Sequence, residues 1–472
     1  MLIAIIDDGI NSQEHPEIPL YSDYIVENTG AIRQRNVHEP VLTSHGTTCA
    51  QVIHNYAPNA SFCSIAIFQH ANSNASLSQL ISALELCLKL NVELIHMSIG
   101  TVRVSDYPSI RDRIAKILQN GQIIVAAQSN KPGRYTMPAC FSGVFGVASD
   151  ATLRGSKFRI DNTTYPDNVQ IFASSQHILP FFDTQISNSF AAPTITAKLF
   201  QLLESMDQPK FSSQTLFRQL TNGDTQSSLA RIRPDFLLDA IVYDPDGVLS
   251  PELSDCYIFK ILKKPSTTNG FFRALEEYPT APVLIATSST YISKIFFDKL
   301  FYYSKLRVGI VYTGTLAAQI RAESPCLFWD ESTCRFARIN VAHSLQHIPL
   351  LMVNPFGICA LKLICRLEQL FIENGYSAVT ISNYPRSYLF GFIYFAQKNL
   401  DEIITHIQQT MEPDIFICTV SEGLTTDANK IDKIDIELSN VSSLQVTPDK
   451  VTLPISPSES QILELFNFLI TE

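Results

Sequence analysis

The chain has 472 residues, 46% apolar, 10% aromatic and only 17% charged, which is core material for about two domains and leaves little room for long disordered stretches. Its formal net charge of −10 argues against a sequence-independent nucleic-acid surface, which needs a basic stripe; a basic peptide would be better tolerated. No run approaches the ~20 apolar residues needed to cross a bilayer, so no membrane partner is expected. Met1 leads directly into Leu2-Ile3-Ala4-Ile5-Ile6-Asp7, without a cationic leader or a small-residue cleavage site, so no secretory signal is expected. The ten cysteines stand in apolar contexts without a CxxC pair, as reduced thiols in a cytoplasmic protein would.

Residues 2–6 read as a buried strand, and the short apolar runs at 61–68, 92–97, 122–126 and 143–148 as further strands. Between them Ser76 caps a helix with Leu77, Leu80, Ile81, Leu84 and Leu88 on one face. A second helix over 109–120 turns Ile110, Ile114, Ile117 and Leu118 inward and stops at Gly121. Strands alternating with crossover helices predict an α/β fold built on a doubly wound, mostly parallel sheet. Helix-like runs follow from Ala191, with Leu199, Leu202 and Leu203, and over 211–220.

Asp244-Pro245-Asp246-Gly247 and Ser250-Pro251 then interrupt the pattern, which places a first domain at 1–245 and a second α/β domain at 252–472. In the second, 281–287 and 307–312 read as strands and 291–303 as a helix. Segments 349–353, 361–374, 378–381 and 414–420 repeat the rhythm. From His347-Ile348-Pro349 to Gly375-Tyr376 the order is strand, turn, helix and glycine, with Asn354-Pro355-Phe356-Gly357 where a phosphate loop would sit. A working loop needs two glycines and a Lys-Ser/Thr pair. Only Gly357 and Lys362 remain, at the wrong spacing, so a degenerate P-loop-like unit serving recognition or oligomerisation is expected. Asp330, Glu331 and Cys334 show no metal-binding spacing.

Four stretches carry the ingredients of acyl transfer. The first strand ends in Asp7, at the carboxyl edge of the sheet where α/β sites form. Ser44-His45-Gly46-Thr47 sets a histidine before a helix-compatible segment. Ala126-Ala127-Gln128-Ser129-Asn130 ends a strand in an amide donor, and Ser187-Asn188-Ser189-Phe190-Ala191-Ala192-Pro193 puts a serine at a helix entrance. Each has a bland reading alone, as a turn, a structural histidine, a loop asparagine or an N-cap.

Together they run in the order Asp, His, Ser. Ile5-Ile6-Asp7-Asp8-Gly9-Ile10, His45-Gly46-Thr47 and Ser189-Phe190-Ala191-Ala192-Pro193 resemble the aspartate, histidine and serine motifs of the subtilisin-like serine proteases (subtilases, peptidase family S8) of intracellular type. Ala57-Pro58-Asn59-Ala60, His96-Met97-Ser98 within 92–100, and residues 135–139 and 143–148 look like further core segments of that family. The resemblance covers roughly residues 1–243. It implies a subtilisin-like fold in which Ser189 attacks the scissile carbonyl, His45 moves the proton and Asp7 orients His45. Asn130 and the Ser189 N–H would hold the oxyanion, and Ser98, Ile99 and Gly100, with Ala127, Gln128 and Ser129, would line the substrate cleft. No cofactor and no metal is implied.

The chain departs from the family pattern at several neighbours. Thr48-Cys49-Ala50-Gln51 follows the histidine, Ser187-Asn188 replaces Gly-Thr before the serine, Pro193-Thr194 replaces Pro-His, Ser129 replaces a glycine, and Asp8 fills a place where a small residue is usual. Starting on the aspartate strand further suggests an enzyme without zymogen control or the family's N-terminal calcium site. The expected function is therefore a cytoplasmic endopeptidase cleaving a specific peptide or precursor, such as a leader peptide in ribosomal peptide maturation. The competing expectation is a catalytically inactive subtilase fold that binds a peptide or a partner maturation enzyme. A partner maturation enzyme or a second copy of the chain is the expected protein partner.

Overall fold

The computed structural model describes the whole chain except residues 37–38, 42–43, 69–73, 162–167, 181–182, 207–211, 222–231, 289–291, 317, 334–347, 355, 397–399, 421–432 and 472. Phe211, Tyr291, Cys334, His347 and Pro355, all used above, lie outside the described residues.

The first half forms a nine-stranded sheet. Its strands are β1 (Leu2–Asp7), β2 (Leu20–Val26), β3 (Ile32–Gln34), β4 (Ser61–Ala66), β5 (Leu94–Met97), β6 (Ile123–Ala127), β7 (Phe145–Ser149), β8 (Phe158–Ile160) and β9 (Ile171–Ala173). The order is β3-β2-β4-β1-β5-β6-β7-β9-β8, parallel throughout except for the edge pairs β2–β3 and β8–β9. Near-continuous apolar runs such as Ile3-Ala4-Ile5-Ile6 suit parallel strands covered on both faces. Helix α1 (His45–Tyr56) packs on α4 (Asn188–Glu204), and α2 (Leu77–Leu90) on α3 (Tyr107–Gln119). Ser76 caps α2 with a reciprocal Ser76–Gln79 box, and Gly121 follows α3 at φ +81°.

The chain leaves β1 to build β2–β4 on one side and returns to place β5 on the other. That reversal puts a switch point beside β1, where the carboxyl ends of the parallel neighbours β1, β5 and β6 lie side by side.

The second half holds two sheets rather than one. The first, all parallel, has the order β11-β10-β12-β13-β14, from β10 (Asp239–Tyr243), β11 (Lys260–Lys263), β12 (Val283–Ile285), β13 (Gly309–Tyr312) and β14 (Leu327–Asp330). The expected division near residue 245 thus falls between two paired strands of this sheet. The second comprises β15 (Leu350–Asn354), β16 (Ala378–Ser382), β17 (Ile393–Tyr394), β18 (Ile415–Thr419), β19 (Lys433–Ser439), β20 (Gln445–Thr447) and β21 (Lys450–Pro454), ordered β17-β16-β18-β15-β19-β21-β20.

One hydrophobic cluster runs from Ile3 to Val420 and joins the halves. Trp329, fully buried, donates its indole N–H to the Ile232 carbonyl at 3.3 Å. Among the described residues no helix is long and apolar enough to cross a membrane.

Candidate active site

The site grows from the end of β1. Asp7 is the last residue of that strand and is buried; its two carboxylate oxygens lie 2.8 and 2.9 Å from Nδ1 of His45. His45 opens α1, and 34% of its side chain is exposed. Burial disfavours its charged form, but the hydrogen bond and charge of Asp7, helped by Asp8, outweigh it, and the imidazole pKa is raised above 6.5. With Nδ1 held by Asp7, Nε2 is the nitrogen left for chemistry.

Asp8 holds the helix that carries His45. Ser44, at the N-cap, makes no side-chain cap bond. Instead the Asp8 carboxylate reaches across and accepts from the N–H of Gly46 at 2.7 Å and of His45 at 3.2 Å. It thereby satisfies two donors of the first turn and sets a negative charge at the positive end of α1. This has an electrostatic cost. Burial first, and the neighbouring Asp7 charge second, push the Asp8 pKa up to about 6. Gly46 is required beside it, because a Cβ there would stand 2.6 Å from the Gly9 carbonyl oxygen and 2.9 Å from Asp8.

Ser189 is the second residue of α4, whose packing on α1 brings it to the same edge. The Phe190 ring stacks at a tilt on that of His45, centroids 5.3 Å apart. Pro193 lies four residues on and has no N–H to offer the Ser189 carbonyl. The freed carbonyl accepts instead from Ser98 Oγ at 2.7 Å, with the Cys49 thiol at 3.8 Å. Behind Ser98 stands His96, fully buried, with Nε2 3.0 Å from Ser98 Oγ and Nδ1 2.8 Å from Thr196 Oγ1. Burial, and then the charge of His45, push its pKa down to about 3, so it is a neutral strut between α4 and β5.

The nucleophile candidate itself is at rest. Ser189 Oγ donates to the Ser98 carbonyl at 3.4 Å, and no hydrogen bond joins it to the imidazole. Its backbone N–H donates to Ser187 Oγ at 3.2 Å. Asn130, exposed just beyond β6, accepts from the Asn188 N–H at 2.9 Å through Oδ1, which leaves its NH2 end as a donor. Asn188 fixes that loop by donating to the Ser129 carbonyl at 2.7 Å and accepting from the Ser149 N–H at 2.7 Å.

Ser98, Ile99 and Gly100 leave the end of β5, and Gln128 and Ser129 follow Ala127 at the end of the adjacent β6. Residues 134–137 tie the two together. Thr101 and Met137 exchange backbone bonds of 3.0 and 2.8 Å, Ser129 N–H donates to Thr136 Oγ1 at 3.0 Å, and Gln128 donates to the Arg134 carbonyl. The same stretch docks on the second half, where Tyr135 N–H donates to the Thr410 carbonyl at 2.6 Å and Arg134 pairs with Glu412.

Nothing in the sequence marks Cys49 or His96 as chemical neighbours of the site, and Asp8 stands out there only as a departure from the family pattern. Ligand atoms of Asp7, His45 and Cys49 lie within 4.8 Å of one another, close enough to hold a metal ion, although no metal was expected. Burial pushes the Cys49 thiol pKa well up, so it is a neutral thiol at ordinary pH. Asp330, weighed as a metal ligand, instead accepts from Leu316 N–H and Ser332 N–H as a turn cap.

The profile described as Peptidase_S8, Subtilase family, matches residues 1–232. Residues 1–232 form a subtilase-family domain. Its enzyme class is serine endopeptidase. The major intracellular serine protease of Bacillus subtilis (strain 168) is 23% identical over 257 residues, covering 48% of this chain and 77% of that protein. Among solved structures, the subtilase-family half is similar to a lanthipeptide protease (13% identity, TM-score 0.38, 47% of this chain and 79% of that one). It is also similar to the prenylagaramide maturation protease PagA (19%, 0.35, 47% and 82%) and to the nisin leader peptidase NisP from Lactococcus lactis (17%, 0.36, 46% and 81%).

Proposed function

We propose that the subtilase-family half cleaves a specific peptide or precursor with Ser189 as nucleophile, His45 as base and then acid, and Asp7 as its orienting carboxylate. Ser189 Oγ bonds to the scissile carbonyl carbon while its proton passes to His45 Nε2. The oxyanion forms against the Asn130 amide. Collapse breaks the C–N bond as His45 returns the proton to the departing amine, and water then releases the acyl group by the same steps. The observation that carries the reading is the buried Asp7 bonded to His45 Nδ1 at 2.8 Å at a sheet edge shared with Ser189. It fixes the tautomer that leaves Nε2 a base.

Ser98, Ile99, Gly100, Ala127, Gln128 and Ser129 are the proposed cleft walls. A leader segment of a ribosomally made precursor is the first substrate class to try. The proposed setting is the cytoplasm, with which the nine free cysteines among the described residues are compatible. The boundary of the second half is better drawn just before Asp239, since β10 pairs within the five-stranded sheet. Its proposed role is recognition or oligomerisation, and its P-loop-like stretch after β15 is proposed to have no nucleotide use.

A second reading, a peptide-binding protein without turnover, draws on the resting contacts of Ser189. A fluorophosphonate probe separates the two. The enzyme reading expects covalent labelling of the wild type and none of Ser189→Ala. An unlabelled, folded wild type would leave only the binding reading.

A further inference from the structure

Ser187 has no part in the mechanism above, yet it occupies its centre. Its backbone is extended, at φ −158° and ψ 144°, and its side chain is the N-cap of α4. As such it accepts from the N–H of Ser189, two residues on, at 3.2 Å. The same hydroxyl donates to Asn130 Oδ1 at 3.5 Å. It therefore bridges the backbone N–H and the side-chain amide between which a developing oxyanion would sit. An N–H already engaged by a cap is not free to donate to a substrate oxygen. Starting the helix and stabilising the transition state thus compete for one proton. The Ser189 hydroxyl is turned away as well, towards the Ser98 carbonyl.

We propose that Ser187 is a latch on the oxyanion site: a positioning residue whose hydroxyl closes the Ser189 N–H at rest and must rotate away before an acyl oxygen can take its place. This rests on the roles given to Ser189 and Asn130. A substrate must then spend part of its remote binding energy on opening the site. Short peptides that bind only near the scissile bond lose turnover rather than affinity, and a selective enzyme gains a threshold against chance substrates.

The test is saturation kinetics of fluorophosphonate labelling on the full chain, because the probe's phosphoryl oxygen must enter the same site. Removing one neutral hydrogen bond that holds the resting state should raise the maximal labelling rate of Ser187→Gly and Ser187→Ala about 3–10-fold. The half-saturation concentration should stay within about twofold of wild type. A residue that only capped the helix would lower thermal stability and leave that rate alone, and this result overturns the latch. A fall in rate also overturns it, since the hydroxyl would then be an oxyanion donor. If the wild type labels through Ser189 and neither variant labels faster, the latch fails while the nucleophile assignment stands. If folded wild type and both variants all stay unlabelled, both fail together. The alanine variant, which keeps the β carbon, decides the matter should glycine prevent folding.

Discussion

Asp8→Asn tests whether the buried carboxylate beside the dyad works as described. Asp8 has its pKa raised from an ordinary 3.8 to about 6, so the folded protein binds this proton more tightly than the unfolded chain does. Stability from this group is present at low pH and is lost as pH rises from about 4 through 6. The difference between 3.8 and about 6 corresponds to about 3 kcal/mol in all, of which about 2 kcal/mol falls between pH 4.5 and 7. Asparagine cannot ionise. It keeps an oxygen for the Gly46 N–H but gives up the bond to His45 N–H, a roughly constant loss of ~1 kcal/mol. Urea unfolding of both proteins across pH 4.5–7 should therefore show the variant gaining on the wild type by about 2 kcal/mol as pH rises. A difference flat to within about 0.5 kcal/mol across that range would refute the electrostatic account. The same pair offers a kinetic check. Because the Asp8 charge helps hold the His45 pKa up, the acid limb of the labelling-rate profile, expected above pH 6.5 in the wild type, should move to lower pH in Asp8→Asn.

Two further substitutions probe the neighbouring geometry. Gly46→Ala puts a methyl group 2.6 Å from the Gly9 carbonyl oxygen and against Asp8 and Asp7, so it should cost about 1–3 kcal/mol by urea unfolding and slow labelling by displacing His45. Asn130→Ala should lower the maximal labelling rate about 10²–10³-fold if the amide binds the oxyanion. An effect confined to stability would assign Asn130 only the task of holding the Asn188 N–H at 2.9 Å.

The strands that position the site were legible because parallel strands buried on both faces are continuous apolar words, as in Ile3-Ala4-Ile5-Ile6 and Ile123-Ile124-Val125-Ala126. Strand β2 was not, since Leu-Tyr-Ser-Asp-Tyr-Ile-Val is half polar and mostly part-exposed. Lys-Ile-Leu-Lys of β11 is exposed at every residue and has no apolar signature. That the second half makes two sheets depends on which strands pair across loops, which local periodicity does not encode. In the site, residue types in order were readable, but contacts across the fold were not. Asp8 caps a helix 37 residues away, and His96 meets Thr196 a hundred residues on. The role of Ser187 was hidden for another reason. An N-cap serine is so ordinary in sequence that only the identity of its partner, the Ser189 N–H, gives it meaning.

The bond from Tyr135 to Thr410 changes how the second half is to be regarded. The loop that follows Asn130 knits the two proposed walls of the cleft, and it rests on the end of the helix Leu400–Met411 some 270 positions further along the chain. The proposed cleft therefore does not rest on the first 232 residues alone, since Thr410 and Glu412 of the second half hold the segment that joins its walls. By thermodynamic reciprocity, a ligand that moved this helix and thereby changed peptide affinity by some factor would find its own affinity changed by the same factor when the peptide is bound.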